Sequence, residues 1–156
     1  MESLKVPRRE VAVRILLDDG RSLDGKLYTA PLAADGLAER VVDHLNDTTQ
    51  DFVPLACGDD RFLLNKSGII AVEIPGGREE VEGFGSGAGR EVPVRLTLPG
   101  GTSLLGTILI VMPPERARVL DFFNAAPRFF PLIGEHQVTL VHRNYVVSVR
   151  SAIEDP

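Results

Sequence analysis

The sequence predicts a mainly β fold with one helix per unit (α+β), built as two tandem small five-stranded barrel-like units. Three observations lead to this prediction: an internal duplication of the sequence, short segments in which apolar and polar residues alternate, and a glycine-rich stretch between the halves. The first unit covers residues 10–74, the Gly-rich linker residues 75–90, and the second unit residues 91–151. We expect the two units to pack with approximate twofold symmetry.

The duplication appears when the chain is compared with itself at a shift of 81 positions. Residues 10–27 then align with residues 91–108 without a gap, and nine of these eighteen positions are identical. After two short deletions the shift becomes 77, and residues 52–72 align with residues 129–149. Each half can therefore be used to check the structural interpretation of the other.

Each unit begins with two strands joined by a tight turn. Apolar residues occupy every second position from 11 to 17, which is the period of a strand with one buried face. Gly20 in the first unit and Gly100-Gly101 in the second suit a turn that needs a positive φ. Gly25 and Gly106 lie within the second strand of each unit, where a glycine indicates a bulge or a sharp bend.

A helix and three further strands complete each unit. Asp35 is the predicted N-cap of the first helix, and Pro113-Pro114-Glu115 are predicted to open the second. Asn46 and Asn124 stand where the helical pattern stops, so each is predicted to cap or terminate its helix. The remaining strands are predicted at residues 52–57, 61–66 and 69–74, and at residues 129–133, 137–143 and 146–150.

The helices carry a repeated polar pattern, with Arg40 and Asp43 in the first unit and Arg118 and Asp121 in the second. Residues three apart on a helix are neighbours, so each arginine can pair with its aspartate. The favoured interpretation is a clamp that orients the helix on the barrel. The alternative is a polar patch, present twice, in which Arg40 and Arg118 contact a partner.

The strand–Asp-Gly–strand–Gly opening and the closing segment at residues 65–72 resemble the small-barrel superfamily that includes Sm-like and SH3-like domains. This resemblance spans most of each unit and implies a small, partly open barrel. The helix between the second and third strands differs from Sm-like domains, which usually carry their helix at the N-terminus. RNA binding is therefore kept only as an alternative function.

Charge and composition narrow the classes of function. The net charge of −5 disfavours general binding to nucleic acid or to an anionic membrane. The first unit is acidic, with a net charge of −6, whereas the second has a net charge of +2. This difference suits head-to-tail self-association or one charged partner. The lone Cys57 and the polar first ten residues favour a cytoplasmic location.

The pattern of potentially reactive residues predicts no catalytic, metal or cofactor site. The three histidines, His44, His136 and His142, have no ligand spacing within one element, and a zinc site needs three or four ligands. No Gly-x-Ser-x-Gly elbow is present, and no pair of carboxylates lies in an apolar setting. We therefore expect a protein that is not an enzyme.

Arginines near the N-terminus support an alternative function. Arg8 and Arg9 precede the first strand, which carries Arg14, and this leader resembles the entry of PilZ domains, which bind a cyclic dinucleotide. Guanidinium groups match phosphate oxygens well. The Asp-x-Ser-x-x-Gly stretch of that family is replaced here by residues 27–30. Cyclic dinucleotide binding through these arginines is the implied alternative, and an ordinary basic leader is the simpler interpretation.

The leading functional expectation comes from the second strand of the second unit, which is apolar from residue 104 to 111 apart from Gly106 and Thr107. A strand of this kind needs cover on both faces. Leu105, Ile108, Ile110 and Phe122 are therefore candidate contacts with a partner protein or a second copy. The sequence predicts a non-catalytic protein-interaction or scaffold module that self-associates or docks to a bacterial-type assembly.

Overall fold

The computed structural model describes residues 9–30, 39–81 and 89–151. The elements of the first half are β1 (Arg9–Leu17), β2 (Ser22–Thr29), α1 (Val41–Asn46), β3 (Phe52–Cys57), β4 (Asp60–Asn65) and β5 (Ile69–Pro75). Those of the second half are β6 (Arg90–Thr97), β7 (Ser103–Ile110), α2 (Val119–Ala125), β8 (Phe129–Ile133), β9 (Gln137–His142) and β10 (Ser148–Ser151). The prediction of a mainly β fold with one helix in each half is confirmed for these residues.

Both helices begin later than the sequence pattern indicates. Asp35 lies outside the described residues, and α1 begins at Val41. In the second half, Pro114–Arg116 form a separate 3-10 turn, and extended backbone at Arg118 separates this turn from α2. Neither of these short helices has the length or the apolar character needed to cross a membrane.

The ten strands of the described residues form one antiparallel sheet in the order β10-β6-β7-β8-β9-β5-β1-β2-β3-β4. The sheet does not close, so β4 and β10 are its two edge strands. Both halves have the same internal order: fifth, first, second, third and fourth strand. At the junction between the halves β9, a fourth strand, pairs with β5, a fifth strand. The predicted approximate twofold symmetry stays a prediction.

The strand registers of the two halves agree. Each pair of partners in the β1–β2 ladder recurs 81 positions later in the β6–β7 ladder, as Arg9↔Thr29 and Arg90↔Ile110 illustrate. Each pair in the β8–β9 ladder lies 77 positions after a pair in the β3–β4 ladder. These are the two shifts at which the sequence aligns with itself.

The glycine within the second strand of each half allows a close approach of the third strand. A Cβ atom at Gly25 would lie 2.5 Å from the carbonyl oxygen of Ala56. One at Gly106 would lie 2.6 Å from Cγ of Leu132. Both distances are too short for a carbon side chain, so β2 can reach β3, and β7 can reach β8, only if glycine occupies these positions.

The first part of the stretch predicted as a linker belongs to the fold. Arg78–Glu80 form a 3-10 turn, and the Glu80 side chain is fully buried. Its carboxylate accepts hydrogen bonds from the backbone N–H groups of Val41 (3.0 Å) and Val42 (2.7 Å). These N–H groups have no partner within α1, so Glu80 caps this helix from the other end of the first half. Residues 82–88 lie outside the described residues.

Equivalent cations satisfy the carboxyl ends of the two helices. Nζ of the buried Lys66 donates to the carbonyl oxygens of His44 (2.8 Å) and Asp47 (3.0 Å). Arg143, its counterpart at a shift of 77, donates to the carbonyl of Ala126 (2.6 Å). A positive charge at this end is also favoured by the helix dipole.

Candidate protein-interaction site

The junction between the halves shows how this fold joins one sheet edge to another. β5 and β9 pair through five successive positions, from Ala71↔Val141 to Pro75↔Gln137. Gly76 extends this contact by donating its N–H to the carbonyl of His136 (2.8 Å). The junction is therefore a complete antiparallel strand pairing.

Apolar side chains cross the junction in both directions. Phe129, Val138 and Leu140 of the second half are buried within the core of the first half. In return, Ile70 of β5 packs against the core of the second half. Because each half completes the core of the other, separating β5 from β9 would expose apolar surface on both.

Asn46 connects α1 to β8. Its Nδ2 donates to the carbonyl of Phe129 (2.9 Å), and its Oδ1 accepts the N–H of the same residue (2.8 Å). The helix α1 ends at Asn46, where the sequence predicts its end, and the C-cap is the next residue, Asp47, whose N–H donates to the carbonyl of His44 (3.3 Å). Its counterpart Asn124 lies exposed on α2.

Two aromatic residues add polar contacts at the junction. Nδ1 of the buried His142 lies 2.9 Å from the carbonyl oxygen of Ile69, so it is the protonated nitrogen of the neutral ring. Burial lowers the pKa of His142, although this hydrogen bond acts in the opposite direction. The hydroxyl of Tyr145 reaches Oδ2 of Asp18 (2.8 Å) and the carbonyl of Ser67 (2.6 Å).

A largely apolar cleft of about 540 Å³ lies beside the junction, between α1, β8 and the segment after β7. Phe122 lines it, and Arg40 with Asp43 stands at its polar rim. Phe122 also packs edge-to-face against Phe123 and Phe130, at centroid distances of 5.0 and 5.6 Å. The cleft is thus lined by side chains from both halves.

The structure separates the apolar interaction candidates. Ile108 and Ile110 are buried in the core of the second half, whereas Leu105 is exposed on the same strand. Phe122 is half-buried in the aromatic cluster. These four residues consequently do not form one continuous surface.

The predicted pairing of arginine with aspartate on each helix is confirmed. Arg40 pairs with Asp43 and Arg118 with Asp121, each at 2.9 Å. Each aspartate also accepts the backbone N–H of its arginine, at 3.1 Å in α1 and 3.3 Å in α2. These contacts stabilise the first turn of each helix, and the interpretation of the pattern as a clamp between helix and barrel stays a prediction.

Of the three candidate anion-binding arginines, the two that the structure describes have partners within the chain. Arg8 lies outside the described residues. Arg9 donates to Oγ1 of Thr29 (3.2 Å) and to the carbonyl of Glu39 (3.0 Å). Arg14 forms an ion pair with Asp24 at 2.9 Å. Among residues 9–30, 39–81 and 89–151, no group of three His, Cys, Asp or Glu side chains has the arrangement of a metal site.

The two sheet edges carry exposed apolar side chains. Phe52 and Leu63 are exposed on and beside the β4 edge. Leu120 and Val147 are exposed at the opposite end of the sheet, on α2 and immediately before β10. An open strand with apolar neighbours is a ready site for pairing with another chain.

Sequence reasoning missed the junction, and with it Asn46, Glu80 and His142. One signal was available: Val138, Leu140 and Val141 make β9 apolar on both faces, as expected of a strand inside a sheet. Comparison with protein-family models, with curated proteins and with solved structures finds no significant match. The relationship to Sm-like and SH3-like domains therefore stays a prediction.

Proposed function

We propose that this chain is a duplicated pair of small barrel-like units that acts as a non-catalytic protein-interaction module. It associates with its partner through the open edges of its sheet. The observation that carries this proposal is the position of β4 and β10 as the two edge strands of the described sheet, each beside exposed apolar side chains. The junction between β5 and β9 supports it, because edges of the same two kinds already pair there.

Edge pairing gives both affinity and register. The backbone N–H and C=O groups of an edge strand bind an added strand, and side chains on alternate positions determine which strand fits. Leu63 lies in the middle of β4 and is exposed, so a charged side chain there would oppose an incoming apolar strand. Leu105 is equally apolar and exposed but lies on β7, between two paired neighbours.

The test is sedimentation velocity of the purified chain from low to high micromolar concentration. We expect the mass to rise with concentration for the native protein and for Leu105→Lys, and to stay monomeric for Leu63→Lys. Circular dichroism of each variant checks that the fold is retained. A native chain that stays monomeric throughout and recovers no protein partner would overturn the proposal. So would association that is lost with Leu105→Lys and kept with Leu63→Lys.

A further inference from the structure

The partner at these edges can be specified further, on the basis of the proposed function. We infer that it is a second copy of this chain, and that β10 of one copy pairs with β4 of the next as β5 pairs with β9 within the chain. The contact is head-to-tail, because it joins two different edges.

The strand order supports this pairing. In the alignment of the halves, β4 is the counterpart of β9 and β10 is the counterpart of β5. Every other pairing of strands in the first half has a counterpart in the second half among the described residues. The β5–β9 pairing has no such counterpart within the chain. A pairing of β10 with β4 of another copy would be that counterpart.

The shift of 77 also sets the register of the new pairing. The intrachain partners Ala71↔Val141 and Ile74↔Val138 become Ser148↔Leu64 and Ser151↔Arg61 between copies. Both partners run antiparallel, as in the junction. A single register is therefore expected.

The exposed side chains on the β4 side match buried ones at the junction. Phe52 and Leu63 are 51% and 74% exposed. Their counterparts Phe129 and Leu140 are 0% exposed, because they complete the core of the neighbouring half. A second copy would bury Phe52 and Leu63 in the same way.

The opposite end shows the same relationship. Leu120 and Val147 are 47% and 66% exposed. Their counterparts Val42 and Ile70 pack into the cores beside the junction. Of the six large apolar side chains exposed among the described residues, four thus lie at the two ends, at positions that the junction covers.

Between copies, Asn124 makes the polar contact that its counterpart Asn46 makes within the chain. Its counterpart Asn46 binds both backbone groups of Phe129. Phe52 is the counterpart of Phe129, so Asn124 of one copy meets the backbone of Phe52 in the next. The acidic first half and the basic second half also meet in this arrangement, which favours association of unlike ends.

Two differences make the contact between copies weaker than the junction. Arg61 stands where the junction buries Val138, and Gly68 stands where Tyr145 contributes its hydroxyl. Association is therefore reversible. Because the contact is heterologous, each copy keeps one free end of each kind, and growth continues until a ring closes.

The test uses disulfide cross-linking between chains that carry one cysteine each, in a Cys57→Ser background. Arg61→Cys and Ser151→Cys chains, distinguished by a tag, are mixed and oxidised gently. We expect a mixed dimer in high yield, because paired positions of adjacent strands have the spacing that a disulfide needs. Asp59→Cys mixed with Ser151→Cys is the register control and should give at least fivefold less.

The outcomes separate this inference from the proposed function. A mixed dimer as abundant with Asp59→Cys, or dominant dimers between identical chains, in a protein that self-associates would overturn the head-to-tail pairing and leave the interaction module intact. The same holds if the protein associates and no cross-link forms. A chain that stays monomeric in sedimentation and forms no cross-link would overturn this inference. It would overturn the proposed function as well only if the chain also recovers no protein partner.

Discussion

The junction and the open ends of this sheet are built from equivalent residues in opposite environments. Leu140 is buried between the halves, whereas Leu63 faces outward from β4. Asn46 binds the backbone of β8, whereas Asn124 lies exposed on α2. The same positions therefore contribute contacts between the halves at one place and are exposed at another.

The largest difference in stability is expected between substitutions at Leu140 and at its counterpart Leu63. Leu140→Asp should lower the free energy of unfolding by about 4 kcal/mol, because it buries an unpaired charge in the core of the first half. Leu63→Asp should change it by about 0.5 kcal/mol or less at a concentration where the chain is monomeric. Urea denaturation of both variants checks this, and equal destabilisation would show that the two sites do not differ as described.

Glu80 is the next test, because its carboxylate binds the first turn of α1. Glu80→Ala should cost about 3 kcal/mol of stability, since it leaves two N–H groups of the first helical turn without an acceptor. Burial raises the pKa of Glu80, and those hydrogen bonds act against the rise. Glu79→Ala is the neighbouring control, expected to unfold at nearly the native urea concentration. If Glu79→Ala lowers the stability as much as Glu80→Ala does, the effect arises from disruption of the 3-10 turn and not from loss of the helix cap.

The asparagine pair gives a smaller effect. Asn46→Ala should cost about 2 kcal/mol of stability, through loss of two hydrogen bonds to Phe129. Asn124→Ala should leave monomer stability unchanged and weaken self-association about tenfold, which corresponds to about 1.4 kcal/mol. Denaturation and sedimentation are measured on both variants. An Asn124→Ala chain that associates as well as the native protein would remove this residue from the contact.

The smallest expected effect is a pH dependence of the free energy of unfolding, caused by His142 at the junction. His142 has a folded pKa below the value of about 6.5 expected for an unfolded chain. As the pH falls below 6.5, the unfolded chain takes up a proton before the folded protein does, so the free energy of unfolding decreases through that window. Above pH 6.5 the free energy of unfolding is not reduced by this protonation. His142→Asn, which places the residue found at position 65, should flatten the profile.

The matched control for this profile is His136→Asn in an exposed turn. It removes an exposed histidine without touching the ring that binds Ile69. Thermal unfolding between pH 5 and 8 measures both variants. If the two substitutions flatten the profile equally, the pH dependence of stability does not arise from His142 at the junction.

The strands and turns could be predicted from the sequence because their causes are local. Alternation along residues 11–17 predicts β1, and Val11, Val13, Ile15 and Leu17 are indeed buried. This alternation has a period of two residues, so a short window of sequence reveals it. At Gly25 and Gly106 the sequence predicts a bulge or bend, whereas the structure shows the close approach of the neighbouring strand.

The junction could not be predicted in this way, because its contacts join residues far apart in the chain. Asn46 and Phe129 are 83 positions apart, and Glu80 and Val41 are 39 apart. No short pattern records such distances. The apolar second strand of the second half also drew attention to β7, although Ile108 and Ile110 simply fill the core of their own half.

The contribution of Phe129, Val138 and Leu140 to the first core has a consequence for synthesis of the protein. A ribosome releases the first half before these residues exist, so the nascent first half emerges with part of its apolar interior uncovered. Chains of this kind finish folding only after their late segments appear. The apolar surface of the first half therefore remains exposed to aggregation until β9 has been synthesised and pairs with β5.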